Sequence, residues 1–307
     1  MRKAALIGMF ILCMLILVSC GKDKGVYINF ERSQPIVKND HPYDENQRPI
    51  RIAVATVVSS NETIEYYRHI ANYIAKQTGK PTILIQRKTY EELNMVMSNG
   101  EADIAFMSTG AYCAYRGLTE IELLAMVEYN NCTFFDMKII VHKDSDIHSL
   151  DDLQGKRFAF TDPLSYSGRM VVRQLLKDRN TRPEKYFSRY IYTYGHDKSI
   201  WAVANKATEA ASIDSMILDN EFLINRGLVD KIRVIHTVGP NPTGPVAIRS
   251  EIKAEQKEQY WQVFLNMHKD SQMTPSLKGL LIDRFVVPDA AYYRPLQKIY
   301  DQVEGII

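Results

Sequence analysis

Apolar and polar positions take up a regular pattern at Ile50 and keep it for most of the chain. Ile50-Arg51-Ile52-Ala53-Val54-Ala55 reads as a strand, and 64–78 as a helix with Ile70, Tyr73 and Ile74 on one face. Gly79 supplies a helix stop and Pro81 follows it. Further strands are expected at 82–85, 102–106, 139–141, 157–160 and 207–213. Helices are expected at 90–99, 169–177 and 199–206, and near the C-terminus at 253–268 and 277–285. Strand and helix alternate, which predicts an α/β fold with parallel-type sheets. Extended runs at 137–140 and 244–248 are where the chain should cross between two lobes. The first lobe would hold 50–140 with 246–307, and the second 141–245.

Before Ile50 the pattern differs. Arg2-Lys3 precedes an uncharged apolar stretch from Ala4 to Val18, which runs into Ser19-Cys20-Gly21. About 15 apolar residues fall short of the roughly 20 that span a bilayer, so the segment reads as a secretory signal. Leu17-Val18-Ser19-Cys20 resembles the bacterial lipobox, which implies removal of 1–19 and acylation of Cys20. The expected protein is exported and held by a lipid at a membrane surface of the bacterial cell envelope. Residues 20–49 are polar, mixed in charge and broken by Pro35, Pro42 and Pro49. They read as a tether with a reach of roughly 30 Å, in which only 26–30 could form a strand.

Charge narrows the function classes. The chain carries 38 basic and 36 acidic residues, and Arg2 and Lys3 account for the surplus. The remainder is close to neutral, so nothing points to nucleic acid or to a basic membrane-hugging face. Export also removes ATP and reduced nicotinamide from the expected ligands, and no cofactor is expected. Past the signal, Cys113 and Cys132 remain. A disulfide between them and two buried thiols are both open, and neither lies in a metal-binding spacing.

The segment Phe160-Thr161-Asp162-Pro163-Leu164-Ser165-Tyr166-Ser167-Gly168-Arg169 ends a strand, turns, and opens a helix. Serines there can cap the helix, and its free N–H groups and positive dipole end can bind an anion. A second hydroxyl-rich turn, Met107-Ser108-Thr109-Gly110, follows the strand at 102–106. A third opens at Tyr194-Gly195-His196-Asp197, and the strand at 207–213 ends in Asp214. In open α/β sheets ligands sit beyond the carboxyl ends of the strands, so these turns should surround the ligand.

The order of Tyr90, Asp103-Ile104-Ala105, Asp162-Pro163-x-Ser165-x-Ser167-Gly168, Gly195-His196-Asp197 and Ala202-Val203-Ala204-Asn205-Lys206 resembles the phosphate/phosphite/phosphonate solute-binding proteins of ABC importers. The resemblance runs from about Arg51 to Arg249. It implies a type II periplasmic-binding fold, with two α/β lobes closing on ligand in a cleft. It also implies an oxyanion cradle of Ser165, Tyr166 and Ser167, with Tyr90 and His196 from the walls. Where the aminoalkylphosphonate-binding member has acidic side chains near the ligand's amine, this chain has Met216 and Gly244, with Asp214 close by. A cationic tail is therefore disfavoured, while phosphate, phosphite and small alkylphosphonates stay open. His196, with an ordinary pKa of about 6.5, could serve neutral or protonated, giving pH dependence between about 5.5 and 7.5.

The expected protein is thus a monomeric lipoprotein that is not an enzyme and hands a small oxyanion to an ABC permease. One alternative keeps the fold and ligand but presents them to a membrane signalling partner. The other is a hydrolase using Ser165 or Ser167 with His196 and Asp197. No G-x-S-x-G elbow supports the hydrolase, and adjacent His and Asp seldom point at each other.

Overall fold

The computed structural model describes residues 48–55 and 61–303. The expected signal, Cys20 and all but the end of the expected tether lie outside the described residues. Eleven strands follow in chain order: β1 (Ile50–Ala55), β2 (Thr82–Arg87), β3 (Ile104–Phe106), β4 (Ile121–Glu128), β5 (Phe134–His142), β6 (Arg157–Phe160), β7 (Arg189–Tyr192), β8 (Ala210–Asp214), β9 (Ile232–Pro242), β10 (Pro245–Arg249) and β11 (Arg284–Val286). They form a six-stranded sheet, β11-β4-β10-β3-β1-β2, and a five-stranded sheet, β7-β6-β8-β5-β9. Parallel pairs lie at β1–β2, β1–β3, β6–β7 and β6–β8, and the remaining pairs are antiparallel. Helices cover both faces of each parallel core. That is why β1 reads as a near-continuous apolar run instead of an alternating one.

Each sheet has its own core. Ile52, Val54 and Phe106 pack with Ile70 and Ile74 of the Asn61–Thr78 helix and with Phe264 and Phe285. Met137, Phe158 and Phe160 pack with Met170, Val172 and Phe187. At the far end of the first sheet Asp103 is buried beside Arg51 and Arg249, 2.8 and 2.6 Å away. Burial alone would raise its pKa, but the Arg51 hydrogen bonds and the two guanidinium charges more than offset this and leave it lowered.

The chain crosses between sheets at 129–133, a few residues before the expected run at 137–140, and again at 243–244, where the expected run at 244–248 begins. Those apolar runs are sheet interior. The first crossing is instead polar and tight, with Asn130 and Asn131 at φ 51° and 56°. The two crossings are tied together by the Thr243 N–H on the Thr133 carbonyl, at 3.0 Å.

One expectation near the C-terminus is corrected. The helix expected at 277–285 ends early, as Thr274–Gly279, and Arg284–Val286 becomes β11 beside β4. A salt bridge from Arg284 to Glu128, at 2.6 Å, holds that pairing. The chain's last described helix is Ala290–Val303. Its Tyr293, Leu296 and Tyr300 pack in a cluster that joins Met137, Phe158 and Phe160 of the second sheet to Met126 of the first and to Cys113. Cys113 and Cys132 are free thiols, the first buried and the second exposed, so neither a disulfide nor two buried thiols describes them. Among the described residues no helix is long and apolar enough to cross a membrane.

Candidate functional site

One cavity of about 130 Å³ lies between the carboxyl-end loops of the two sheets. All eight residues singled out from the sequence line it: Tyr90, Ser108, Thr109, Ser165, Tyr166, Ser167, His196 and Asp214. They arrive at the start of helices. Ser108 caps the helix Thr109–Ala114, its hydroxyl accepting the Ala111 N–H at 3.1 Å. Tyr90 opens the helix Tyr90–Ser98 behind a Thr89/Glu92 capping box. His196 opens His196–Ala204, and Asp214 caps Ser215–Ile224. The helices expected at 169–177 and 199–206 begin three residues early, and those added turns bring Tyr166, Ser167 and His196 to the cavity.

The 165–167 turn is built from backbone outward. Ser165 caps its helix by accepting the Gly168 N–H at 3.0 Å, which leaves its own O–H able to donate. The helix opens with one wide turn, in which the Met170 N–H reaches the Ser165 carbonyl. Such turns recur at functional sites. A Cβ on Gly168 would sit 2.5 Å from the Thr161 side chain, so only glycine lets the turn close on β6. Tyr166 and Ser167 stand at the first helical positions, where N–H groups have no helical acceptor. Both serines are 3% exposed, so they lie in a desolvated recess and not in an open, solvated cleft.

The two sheets' loops meet here. Asp162, after β6, accepts the Tyr90 N–H at 3.3 Å and the Leu164 N–H at 2.8 Å. Burial raises its pKa, with those two N–H groups pulling the other way. Gly110 lies against the Leu164 carbonyl, which also accepts the Tyr300 hydroxyl at 2.7 Å. Burial, and next the Asp162 charge, push the Tyr90 phenol up, with the Ser108 side chain pulling the other way, so it stays a neutral donor.

His196 differs from its expected behaviour. Its Nδ1 accepts the Asp214 N–H at 3.1 Å and lies 3.2 Å from the Thr161 hydroxyl. A backbone N–H can only donate, so the neutral ring carries its proton on Nε2. Burial pushes its pKa down to about 3. The switch expected between pH 5.5 and 7.5 is therefore absent, and the contribution of His196 to stability is present above about 6.5 and lost in acid. This tautomer is also the reverse of what a Ser–His–Asp relay needs, in which Nδ1–H donates to a carboxylate.

Among the described lining residues, the group shifted to near neutrality is Asp214. Burial pushes its carboxyl up to about 7, against the pull of the Met216 and Ile217 N–H groups. Between its ordinary value and 7 the folded chain holds a proton that the unfolded chain lacks. Stability from this group is therefore fullest in acid and lost as pH rises through 7. An anion in the cavity meets a neutral donor below 7 and a like charge above. Methylphosphonate affinity is expected to fall about tenfold more between pH 6.5 and 8.5 in this chain than in Asp214→Asn, since the ligand's own ionisation affects both equally. Parallel calorimetric pH profiles for the two proteins would contradict it.

Residues the sequence pattern did not single out complete the wall. Thr63 and Thr243 add hydroxyls; Tyr67, Phe106, Val127, Phe135, Ile217 and the segment 280–282 add apolar surface. Met107, buried in a core cluster, also lines it. Among the described lining residues none is Lys or Arg. Among the described residues no cluster of His, Cys, Asp and Glu could hold a metal ion.

The family described as "ABC transporter, phosphonate, periplasmic substrate-binding protein" matches residues 52–293. The chain belongs to this family. It is 30% identical over 147 residues to the phosphonates-binding periplasmic protein of Escherichia coli K12, covering 47% of this chain and 42% of that protein. It is 25% identical over 189 residues to the phosphate-import protein PhnD of Mycolicibacterium smegmatis, covering 58% of each. The chain thus spans about half the length of the curated relatives it matches. A binding-protein component of an ABC phosphonate transporter from Pseudomonas aeruginosa has the same fold. Its TM-score is 0.76 at 22% identity, over 84% of this chain and 87% of that one. The family fold is the two-lobe periplasmic-binding type, with the cavity between the lobes.

Proposed function

We propose that this chain is an extracytoplasmic solute-binding protein that captures a small phosphorus oxyanion and delivers it to an ABC permease. The observation that carries this reading is the convergence of five helix starts on one cavity with no cationic side chain among its described lining residues. Helix N-termini and neutral hydroxyls suit an oxyanion, because each hydrogen bond to a charged oxygen contributes about 1.5–3 kcal/mol. Ser165, Tyr166 and Ser167 would hold the oxygens from the second lobe. Tyr90, Ser108 and Thr109 would close from the first, with His196 Nε2–H and protonated Asp214 completing the shell. The closing bodies are proposed to be the two sheets with their helices, parted at the crossings 129–133 and 243–244 and not at 140 and 245, with the last helix across the seam.

The proposed protein works as a monomer anchored through a lipid on Cys20; a Cys20→Ser chain would then leave washed membranes. The test of function is a thermal-shift panel of phosphate, phosphite, methylphosphonate, sulfate and a sulfonate. A bound phosphorus oxyanion should stabilise the fold by about 2.7 kcal/mol at a hundredfold excess over its Kd. Stabilisation by sulfate or sulfonate alone would sink the reading.

A further inference from the structure

We infer that Lys88 and Tyr194 form a latch across the mouth of the cleft and set how fast a bound ligand leaves. The inference rests on the oxyanion reading above for its ligand, and it adds two residues that do not themselves line the cavity.

Strand order gives the pair its leverage. The chain crosses between the sheets from β4 to β5 and from β9 to β10, so the hinge lies at those strands. In the first sheet β10 is followed by β3, β1 and β2, which puts β2 on the edge three strands away. In the second, β5 is followed by β8, β6 and β7, and β7 is likewise three strands away. At the usual strand spacing that is roughly 14 Å. Lys88 directly follows β2, and Tyr194 comes two residues after β7. The Lys88 ammonium lies 5.8 Å from the centre of the Tyr194 ring, within reach of a cation–π interaction. A contact on the rim opposite the hinge parts furthest when the lobes rotate. It stabilises the closed arrangement and is lost on opening.

Both partners are placed from the backbone. The Lys88 N–H donates to the Glu92 carboxylate at 2.9 Å, beside the capping box that starts the Tyr90 helix. The Tyr194 N–H donates to the Thr161 carbonyl at 2.7 Å, and its ring centre lies 6.2 Å from that of Tyr192. Tyr194 has a φ of 54°, a left-handed angle that bulky residues avoid. Gly195, beside it, could take that angle freely, yet is extended at φ 177°. The strain thus falls on the residue whose ring meets Lys88. Strain of this kind persists where the surroundings over-determine it, and it clusters at ligand clamps.

The latch is also close to the site. Tyr90 and His196, two positions along from the two partners, line the cavity. On the same edge the Tyr90 N–H crosses to Asp162, just after β6, at 3.3 Å. Lys88 is exposed and Tyr194 half-buried, so the contact stands on the outer side of that wall.

Stopped-flow dissociation of methylphosphonate from the folded chain tests this. Lys88→Met and Tyr194→Leu should each raise the dissociation rate about two- to fivefold, the worth of an exposed cation–π contact. The double variant should be no faster than either single one, because each removes the same interaction. Lys88→Arg, which keeps a cation over the ring, should match the parent. An unchanged rate in both single variants overturns the latch, as does a Lys88→Met effect that is equally large in the Tyr194→Leu background; either leaves the oxyanion reading standing. If the parent binds no phosphorus oxyanion, that reading falls, and amide hydrogen exchange on the unliganded chain decides the latch. The Tyr90 N–H, which bridges the sheets, should then exchange about two- to fivefold faster in Tyr194→Leu. Unchanged exchange at Tyr90 would overturn the latch.

Discussion

Gly110→Ala is expected to weaken oxyanion binding about a hundredfold while leaving the unliganded fold intact. A Cβ at position 110 would stand 2.0 Å from the Leu164 carbonyl oxygen and 2.5 Å from the Tyr166 nitrogen. Both are backbone atoms, so no side chain can swing aside. The clash can be relieved only by moving the 165–167 turn away from the Ser108–Thr109 turn by an ångström or more. Those two turns face each other across the cavity, and hydrogen bonds weaken steeply with distance and angle. Within its own helix alanine is the better residue by about 1 kcal/mol, which offsets part of the strain on the unliganded protein. Affinity from calorimetry and stability from urea unfolding separate the two effects. An alanine variant with unaltered affinity would mean that this seam does not set the geometry of the site.

The sequence was most legible where local chemistry decides structure. Strands at β1, β6 and β8 and their polar C-terminal turns were readable because a buried parallel strand is a short apolar run ended by hydroxyls. Tyr90 and His196 came through the family resemblance, since a tyrosine at a helix start and a histidine after glycine carry no binding signal alone. The apolar lining of the cavity was hidden. Val127 and Leu281 have the spacing of core residues, and nothing local distinguishes a wall facing ligand from one facing protein. The segment 277–285 fails for a related reason: Leu277, Leu280, Leu281 and Phe285 have helical spacing. Phe285 instead pairs with Val127, more than 150 residues earlier, and Leu281 turns left-handed before it. The charge state of His196 was equally out of reach, because it depends on the Asp214 N–H, eighteen residues further on.

The Ser165→Ala/Ser167→Ala double variant should lose oxyanion affinity by a hundredfold or more and also melt a few degrees lower. Ser165 has two roles that the measurement can separate. Its oxygen caps the helix by accepting the Gly168 N–H, and removing such a cap costs about 1 kcal/mol. At this chain length that is a fall of about 2–4 °C, in place of the unchanged melting temperature a solvated cleft would give. The hydroxyl hydrogens of both serines are the groups available to an anion, at about 1.5–3 kcal/mol each, or roughly tenfold to a hundredfold per residue. Ser167, equally buried at 3% exposure, does not cap this helix, so Ser167→Ala alone should lower affinity with little change in melting temperature. A double variant that melts lower yet binds methylphosphonate as tightly as the parent would reduce both serines to structural parts of the turn. The anion would then have to be held by the backbone N–H groups of Tyr166 and Ser167 alone.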